Sequence, residues 1–324
     1  PLLSFAPAQT APRGDVLVVV FLRGAADVLN MVVPHGEDEY YNLRPALGIP
    51  RPDDNKAKAE ERTIDLDGFF GFHPILAPLL PMWQEGHLGI VHACGAHDDS
   101  HSHFKAQELM ERGVANEHGP VSGWIGRHLA TLNTGNPSPM RAIALGELPQ
   151  RSLYGSVPAS SLRSIEDFQL RGNETAVMQM QAALGSLYSG NDSLSHLGCE
   201  TLDILDTLEK IKSPVPNSQS PNYPDSNFGR GLGEIARIIK AEVGLEVAAI
   251  DLDGWDTHFA QGVQTGLMPR LMTDLAEGLA AFHEEMLNHA DKLTVVVMTE
   301  FGRRAYENAS LGTDHGHGGM MMLV

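Results

Sequence analysis

Asp15-Val-Leu-Val-Val-Val-Phe-Leu22 runs straight into Arg23-Gly-Ala-Ala-Asp27. A nearly unbroken apolar, β-branched run of this length suits a strand buried on both faces, and such strands belong to parallel sheets covered by helices. Polar groups follow at once. Asp27 therefore stands just past the carboxyl end of a strand, the edge at which open α/β sheets place their sites.

The same succession of strand, polar turn and helix recurs along the chain. Residues 88–93 read as a strand, 95–103 as a polar turn rich in Asp, Ser and His, and 104–112 as a helix. Residues 245–252 form a strand that ends in Asp253-Gly-Trp-Asp-Thr-His258, and an amphipathic helix over 267–288 leads to a strand over 294–299. That strand ends at Glu300, with Thr313-Asp-His-Gly-His317 beyond it. Shorter elements fall at 72–85 (a helix with prolines at its turns), 124–129 (helix), 142–145 (strand) and 228–242 (helix). The expectation is one α/β domain over 1–324, with a largely parallel sheet flanked by helices. Residues 164–212 are long, leucine-bearing and poor in β-branched side chains, which reads as a helical insertion or cap. A Ser, Asn and Pro-rich linker over 214–224 returns the chain to the sheet, and the charged stretch 50–62 is an exposed excursion without an apolar stripe. The chain stops inside the apolar run 320–324, which reads as the start of a further strand, so C-terminal residues are expected beyond it.

Composition narrows the function. With 41 acidic against 23 basic residues the formal net charge is -18, which repels nucleic-acid backbones and anionic membranes. No run approaches the eighteen or so apolar residues of a membrane span. Cys94 and Cys199 form no recognisable disulfide framework, and no Cys-x-x-Cys is present. Neither a Gly-x-Gly-x-x-Gly after the first strand nor a Gly-x-Ser-x-Gly elbow occurs, which disfavours a dinucleotide-dependent oxidoreductase and a serine hydrolase of the elbow type. The opening Pro1-Leu-Leu-Ser-Phe-Ala-Pro reads as what remains after an export signal.

Four polar groups stand at strand ends: Asp27, the cluster 97–103, Asp256 with His258, and Glu300 with Asp314, His315 and His317. Carboxylates and imidazoles are the ligands of zinc, manganese and related divalent ions. Each group also has a plainer reading. Asp27 can cap the turn that follows it, Asp256 and His258 can close a local turn, and Ser100 or Ser102 can cap the helix over 104–112. Ser102 can instead act as a nucleophile at that helix start. The alternating Asp314-His315-Gly-His317 array is hardest to explain without a shared partner.

These residues resemble the bacterial DUF1501 family, whose members often carry a twin-arginine export signal and are grouped with the alkaline phosphatase and sulfatase superfamily. The resemblance rests on Leu22-Arg-Gly-Ala-Ala-Asp-Val-Leu-Asn30, Leu66-Asp-Gly-Phe-Phe-Gly-Phe-His-Pro74, Ser102-His-Phe-Lys-Ala-Gln107, Gly254-Trp-Asp-Thr-His258, Thr299-Glu-Phe-Gly-Arg303 and Gly312-Thr-Asp-His-Gly-His-Gly318. It implies an alkaline phosphatase-like fold, a periplasmic or secreted location, and a site holding one or two divalent metals (zinc, manganese or calcium). Asp27 then matches the metal-binding Asp after the first strand, Ser102 the nucleophile, Asp256 with His258 the late Asp and His, and Asp314 with His315 the final pair. Glu300 stands at the strand end where that pair usually begins and is an alternative ligand, His317 is a candidate last ligand, and Val28 replaces the usual glycine. Arg23, Arg303 and Arg304 are the candidate clamp for a small anionic substrate. The implied activity is metal-dependent hydrolysis of a phosphate or sulfate ester. The alternatives are an exported binding protein that retains the fold and metal-assisted chemistry on another oxyanion or a sugar. The site expectation is convergence of Asp27, Asp256, His258, Asp314 and His315 on one pocket, with Glu300 and His317 at or just behind the ion and Ser102 facing it.

Overall fold

The first apolar run is strand β1 (Val16–Arg23), and its side chains divide by parity. Val16, Val18, Val20 and Leu22 enter one apolar cluster, while Val19 and Phe21 enter another on the opposite face. Both faces of this strand are core, so its sequence has no polar face to alternate with. The computed structural model describes residues 14–324 apart from 97, 133, 137, 167 and 213–220. His97 and most of the expected linker thus lie outside the described residues.

After β1 come a one-turn helix α1 (Val28–Met31), strand β2 (Val32–Val33), helix α2 (Asp38–Leu43), and strands β3 (Ile64–Asp65) and β4 (Gly71–Phe72). β2, β4 and β3 pair as a small antiparallel sheet. A 3-10 segment (Pro74–Leu79) leads into α3 (Leu80–Gln84), then β5 (Gly89–Cys94), α4 (His103–Arg112), α5 (Trp124–Thr131), β6 (Ala142–Leu145) and β7 (Ser160–Leu162). Helices α6 (Glu174–Leu187), α7 (Ser193–Lys212) and α8 (Asn227–Lys240) precede β8 (Val247–Asp253). The long helix α9 (Leu267–Met286) and the 3-10 turn Leu287–Lys292 carry the chain to β9 (Leu293–Thr299), and β10 (Gly319–Leu323) closes it.

The main sheet has seven strands in the order β5-β10-β9-β1-β8-β6-β7. From β9 to β7 every pairing is parallel, whereas β10 pairs antiparallel with both β9 and β5. β10 alone therefore runs against the rest, and the sheet is mixed. Residues 320–324 do join the sheet, in the opposite direction to the strands around them. On one face, Leu232 and Ile235 of α8 and Leu275, Leu279 and Phe282 of α9 pack with the even-numbered residues of β1. On the other, Ile125 and Leu129 of α5 meet Val19 and Phe21. Each such side chain contributes about 1.5–3 kcal/mol of burial, the main force holding helices to sheet.

α6 and α7 fill most of residues 164–212 and pack on each other. Ile204 and Leu208 of α7 are buried in the main core, while Leu187, Leu194 and Leu197 are exposed. Residues 50–62 carry no buried side chain. Cys94 and Cys199 are free thiols. Among the described residues, no helix is long and apolar enough to cross a membrane.

Candidate metal centre

β1, β5, β8 and β9 end at the same edge of the sheet, and because β10 is reversed it begins there. Segments distant in sequence meet at that edge. Gly24, just past β1, has φ +115, and a Cβ on it would lie 2.5 Å from the amide nitrogen of Asp256. Only glycine allows the end of β1 to pass so close to the end of β8. Gly302 makes a similar approach to the segment before β10, where a Cβ would stand 1.9 Å from the Gly318 carbonyl oxygen. The chain after β9 and the chain before β10 thereby pair as a short antiparallel ribbon that sets Arg303 opposite His315.

Three imidazoles and a carboxylate meet at this edge. Asp256 Oδ1 lies 3.2 Å from His315 Nε2, 3.1 Å from His258 Nε2 and 3.4 Å from His103 Nε2. His258 Nε2 is 2.8 Å from His315 Nε2. The ligand atoms of His103, Asp256 and His315 all fall within 4.8 Å of one another. For ligands at about 2.0–2.1 Å from a tetrahedral ion, neighbouring ligand atoms stand roughly 3.3 Å apart.

The far side of each ring decides which nitrogen is offered. His103 Nδ1 is 2.8 Å from Glu300 Oε1, His258 Nδ1 is 3.0 Å from Asp314 Oδ1, and His315 Nδ1 is 2.8 Å from the His101 carbonyl oxygen. Carboxylates and carbonyls accept, so each Nδ1 carries the hydrogen and each Nε2 presents a lone pair. Histidines that bind metals are held in this way, with the non-ligating N–H donated to a carboxylate or carbonyl. His103 Nε2 is buried and makes no hydrogen bond. An orphaned lone pair, two facing imidazole nitrogens and a carboxylate oxygen leave a deficit of positive charge that a divalent ion would supply.

Electrostatics keep the acidic groups charged. Partial burial opposes ionisation of Asp256, but the hydrogen bond and positive charge of Arg303 outweigh it and hold its pKa at about 2. Burial likewise works against Glu300, which is fully enclosed, yet hydrogen bonds from His103, Gln107 and backbone amides keep it below the usual carboxylate range. The bond to Glu300 raises the pKa of His103, whereas burial lowers that of His315. Phe301 stacks on the His103 ring at 5.0 Å and fixes its plane.

The remaining expected residues surround this cluster in different capacities. Asp27 is buried away from it: both of its carboxylate oxygens take Arg44, at 2.6 and 2.9 Å, and Oδ2 also accepts from Gln261 Nε2 at 2.7 Å. Gln261 Oε1 in turn accepts the hydroxyls of Thr257 and Thr313, which adjoin Asp256, His258 and Asp314 in the chain. Asp27 thus reaches the cluster through Gln261. Asp314 and Glu300 buttress imidazoles. His317 lies at the rim, its ring 4.6 Å from that of His101 and its Nδ1 3.9 Å from Asp99. Arg303 is buried and spends its donors on the carbonyls of Gly24, Ala25, Trp255 and Thr313 and on Asp256 Oδ1, at 2.5–3.0 Å. Arg23 is engaged by Asp251 and Glu111 at 2.7 and 3.0 Å. Arg304 donates to the His315 carbonyl and to the Tyr306 hydroxyl and is exposed. Ser102 is the N-cap residue of α4, immediately before His103, and its side chain makes no capping bond.

Sequence reasoning gives Ser102 a role and leaves His103 without one, although an imidazole at a helix start just past a strand end carries the same signal as the other candidate ligands. Arg44 and Gln261 sit in unremarkable loop sequence, and only the fold reveals them.

The family model described as a protein of unknown function, DUF1501, matches residues 107–324. The chain belongs to the DUF1501 family. Asp256, His258, Glu300, Arg303, Asp314 and His315 fall inside the matched part of this DUF1501 chain, and His103 lies four positions before it. No curated protein matched the chain.

Proposed function

We propose that this DUF1501 chain is a metal-dependent hydrolase of a phosphate or sulfate ester, with one divalent ion held by His103, Asp256 and His315 and joined by His258. The observation that carries the reading is the convergence of three Nε2 atoms on Asp256 Oδ1 while each Nδ1 is tied to an acceptor. Nitrogen and carboxylate donors in this number suit zinc first and manganese next; calcium, which prefers six or more oxygens, fits poorly. A bound ion would supply Lewis acidity to an ester oxygen. The chain's own part is to orient the ligands and place a nucleophile. Ser102, beside His103 at the amino end of a helix whose free amides favour an anion, is the candidate nucleophile. The wider kinship to alkaline phosphatases and sulfatases and an exported location belong to this same reading.

Arg23 and Arg303 are both spent on internal partners, which favours a second reading, a metal-holding binding protein without a substrate clamp. Arg304 is then the arginine left at the rim. Aryl phosphate and aryl sulfate esters, assayed with zinc and with manganese, separate the two. Hydrolysis that disappears in chelator and in Asp256→Asn, and falls at least about 100-fold in Ser102→Ala, is the expected result. Tight metal binding with no hydrolysis of either ester by the native protein supports the binding protein and overturns the hydrolase.

A further inference from the structure

A second group of metal-type ligands lies at the opposite end of the sheet. Glu85 and His87 flank Gly86 in the turn between α3 and β5, and His283 comes from the last turns of α9. His87 Nδ1 stands 3.3 Å from His283 Nε2 and 3.6 Å from Glu85 Oε2, and one ligand atom from each residue falls within 4.8 Å of the others. The positive φ of Gly86, +77, folds the turn so that residues on either side of it aim the same way. His87 and His283 also line a cavity of about 170 Å³ with Leu293 and Val295 from the start of β9. The candidate centre described above follows the end of β9, so the two clusters are separated by the length of a strand, roughly 20 Å.

We propose that Glu85, His87 and His283 form a second, structural site for a transition-metal ion of the zinc type. Two imidazole nitrogens 3.3 Å apart can share at most one proton in the neutral state, and a carboxylate beside them adds negative charge; an ion satisfies all three. With three protein ligands, such an ion keeps its fourth position for water at the surface. What it does is tie the turn before β5, an edge strand of the main sheet, to α9, which packs on the sheet face. Because the ion binds only the folded chain, it stabilises that connection by mass action.

The test uses the full chain with zinc alone as the probe, and counts bound ions by calorimetry and by metal analysis after dialysis. Native protein is expected to bind two ions, His87→Ala/His283→Ala one, and His103→Ala/His315→Ala one. The zinc-dependent rise in Tm should persist in part in the His103/His315 variant and vanish when all four histidines are replaced. His87 and His283 are at the surface or half-buried, and an unchanged circular dichroism spectrum of the metal-free variant guards against misfolding. A His87/His283 variant that binds as many ions as native protein, or a His103/His315 variant that binds none, overturns the second site, and the second of these results leaves the first centre intact.

Discussion

At the scale of single residues, the cluster depends on groups that lie behind its candidate ligand atoms. Glu300 holds His103 by its Nδ1 and also fixes the Gly24 amide and Gln107. Glu300→Gln keeps the shape but weakens the hold on the imidazole, and zinc affinity measured by competition with a chelating dye should fall about 10- to 100-fold. Gln261 is the amide that joins the Asp256–His258 loop to the segment carrying Asp314 and His315, and its orientation is forced: Oε1 takes two hydroxyls and Nε2 gives to the Asp27 carboxylate. Gln261→Leu strands those hydroxyls, with an expected loss of about 1–3 kcal/mol in denaturant unfolding and a parallel loss of metal affinity. Arg44 and Asp27 form a fully buried ion pair. Arg44→Met leaves a buried carboxylate without its counter-charge, and should cost about 3–5 kcal/mol, unless Asp27 is also made neutral, which should restore much of it. The Asp27–Arg44 pair shows why part of the site is illegible in sequence: Asp27 does stand after β1, but its partner Arg44 comes from a loop that no pattern marks, and only that pairing decides that the carboxylate faces inward.

At the scale of elements, strands and helices were readable wherever the apolar pattern was one-sided or unbroken. β1, β8 and β9 follow from β-branched runs, and α8 and α9 from their stripes. The direction of β10 was not readable, because a strand of five residues looks the same in either sense and its orientation is set by the ribbon between Arg303 and His315. That reversal is what brings Asp314 and His315 to the edge where other strands end. The segment before α3 offers a separate test. His73 accepts the Ile75 amide on Nδ1, which caps the 3-10 segment, and its Nε2 gives to the Val263 carbonyl, so the ring must be neutral. Burial drives its pKa down to about 4 from 6.5. Below pH 6.5 the unfolded chain takes up a proton that the folded chain refuses until about pH 4, so the His73 contribution is fully present above pH 6.5 and is lost as pH falls to about 4. The loss should be on the order of 3 kcal/mol in urea unfolding. His73→Gln should flatten that part of the stability–pH curve; an unchanged slope between pH 6.5 and 4 would show that His73 is not responsible.

For the whole molecule, the sheet explains how residues scattered from His103 to His315 form one cluster: the ends of β1, β5, β8 and β9 and the start of β10 lie at one edge. The strand-end rule was enough to pick out Asp256, His258, Glu300, Asp314 and His315 from the sequence, since each follows or precedes a run that must be buried. It could not rank them as ion ligands or as supports, because that depends on which ring nitrogen each carboxylate meets. The central claim is that His103, Asp256 and His315 hold a divalent ion. Anomalous diffraction at the zinc edge, from crystals of the zinc-loaded full chain, tests it most directly. The account predicts a peak about 2 Å from His103 Nε2, His315 Nε2 and Asp256 Oδ1 that is absent from crystals treated with chelator. An ordered cluster with no anomalous peak among these atoms at saturating zinc would contradict it.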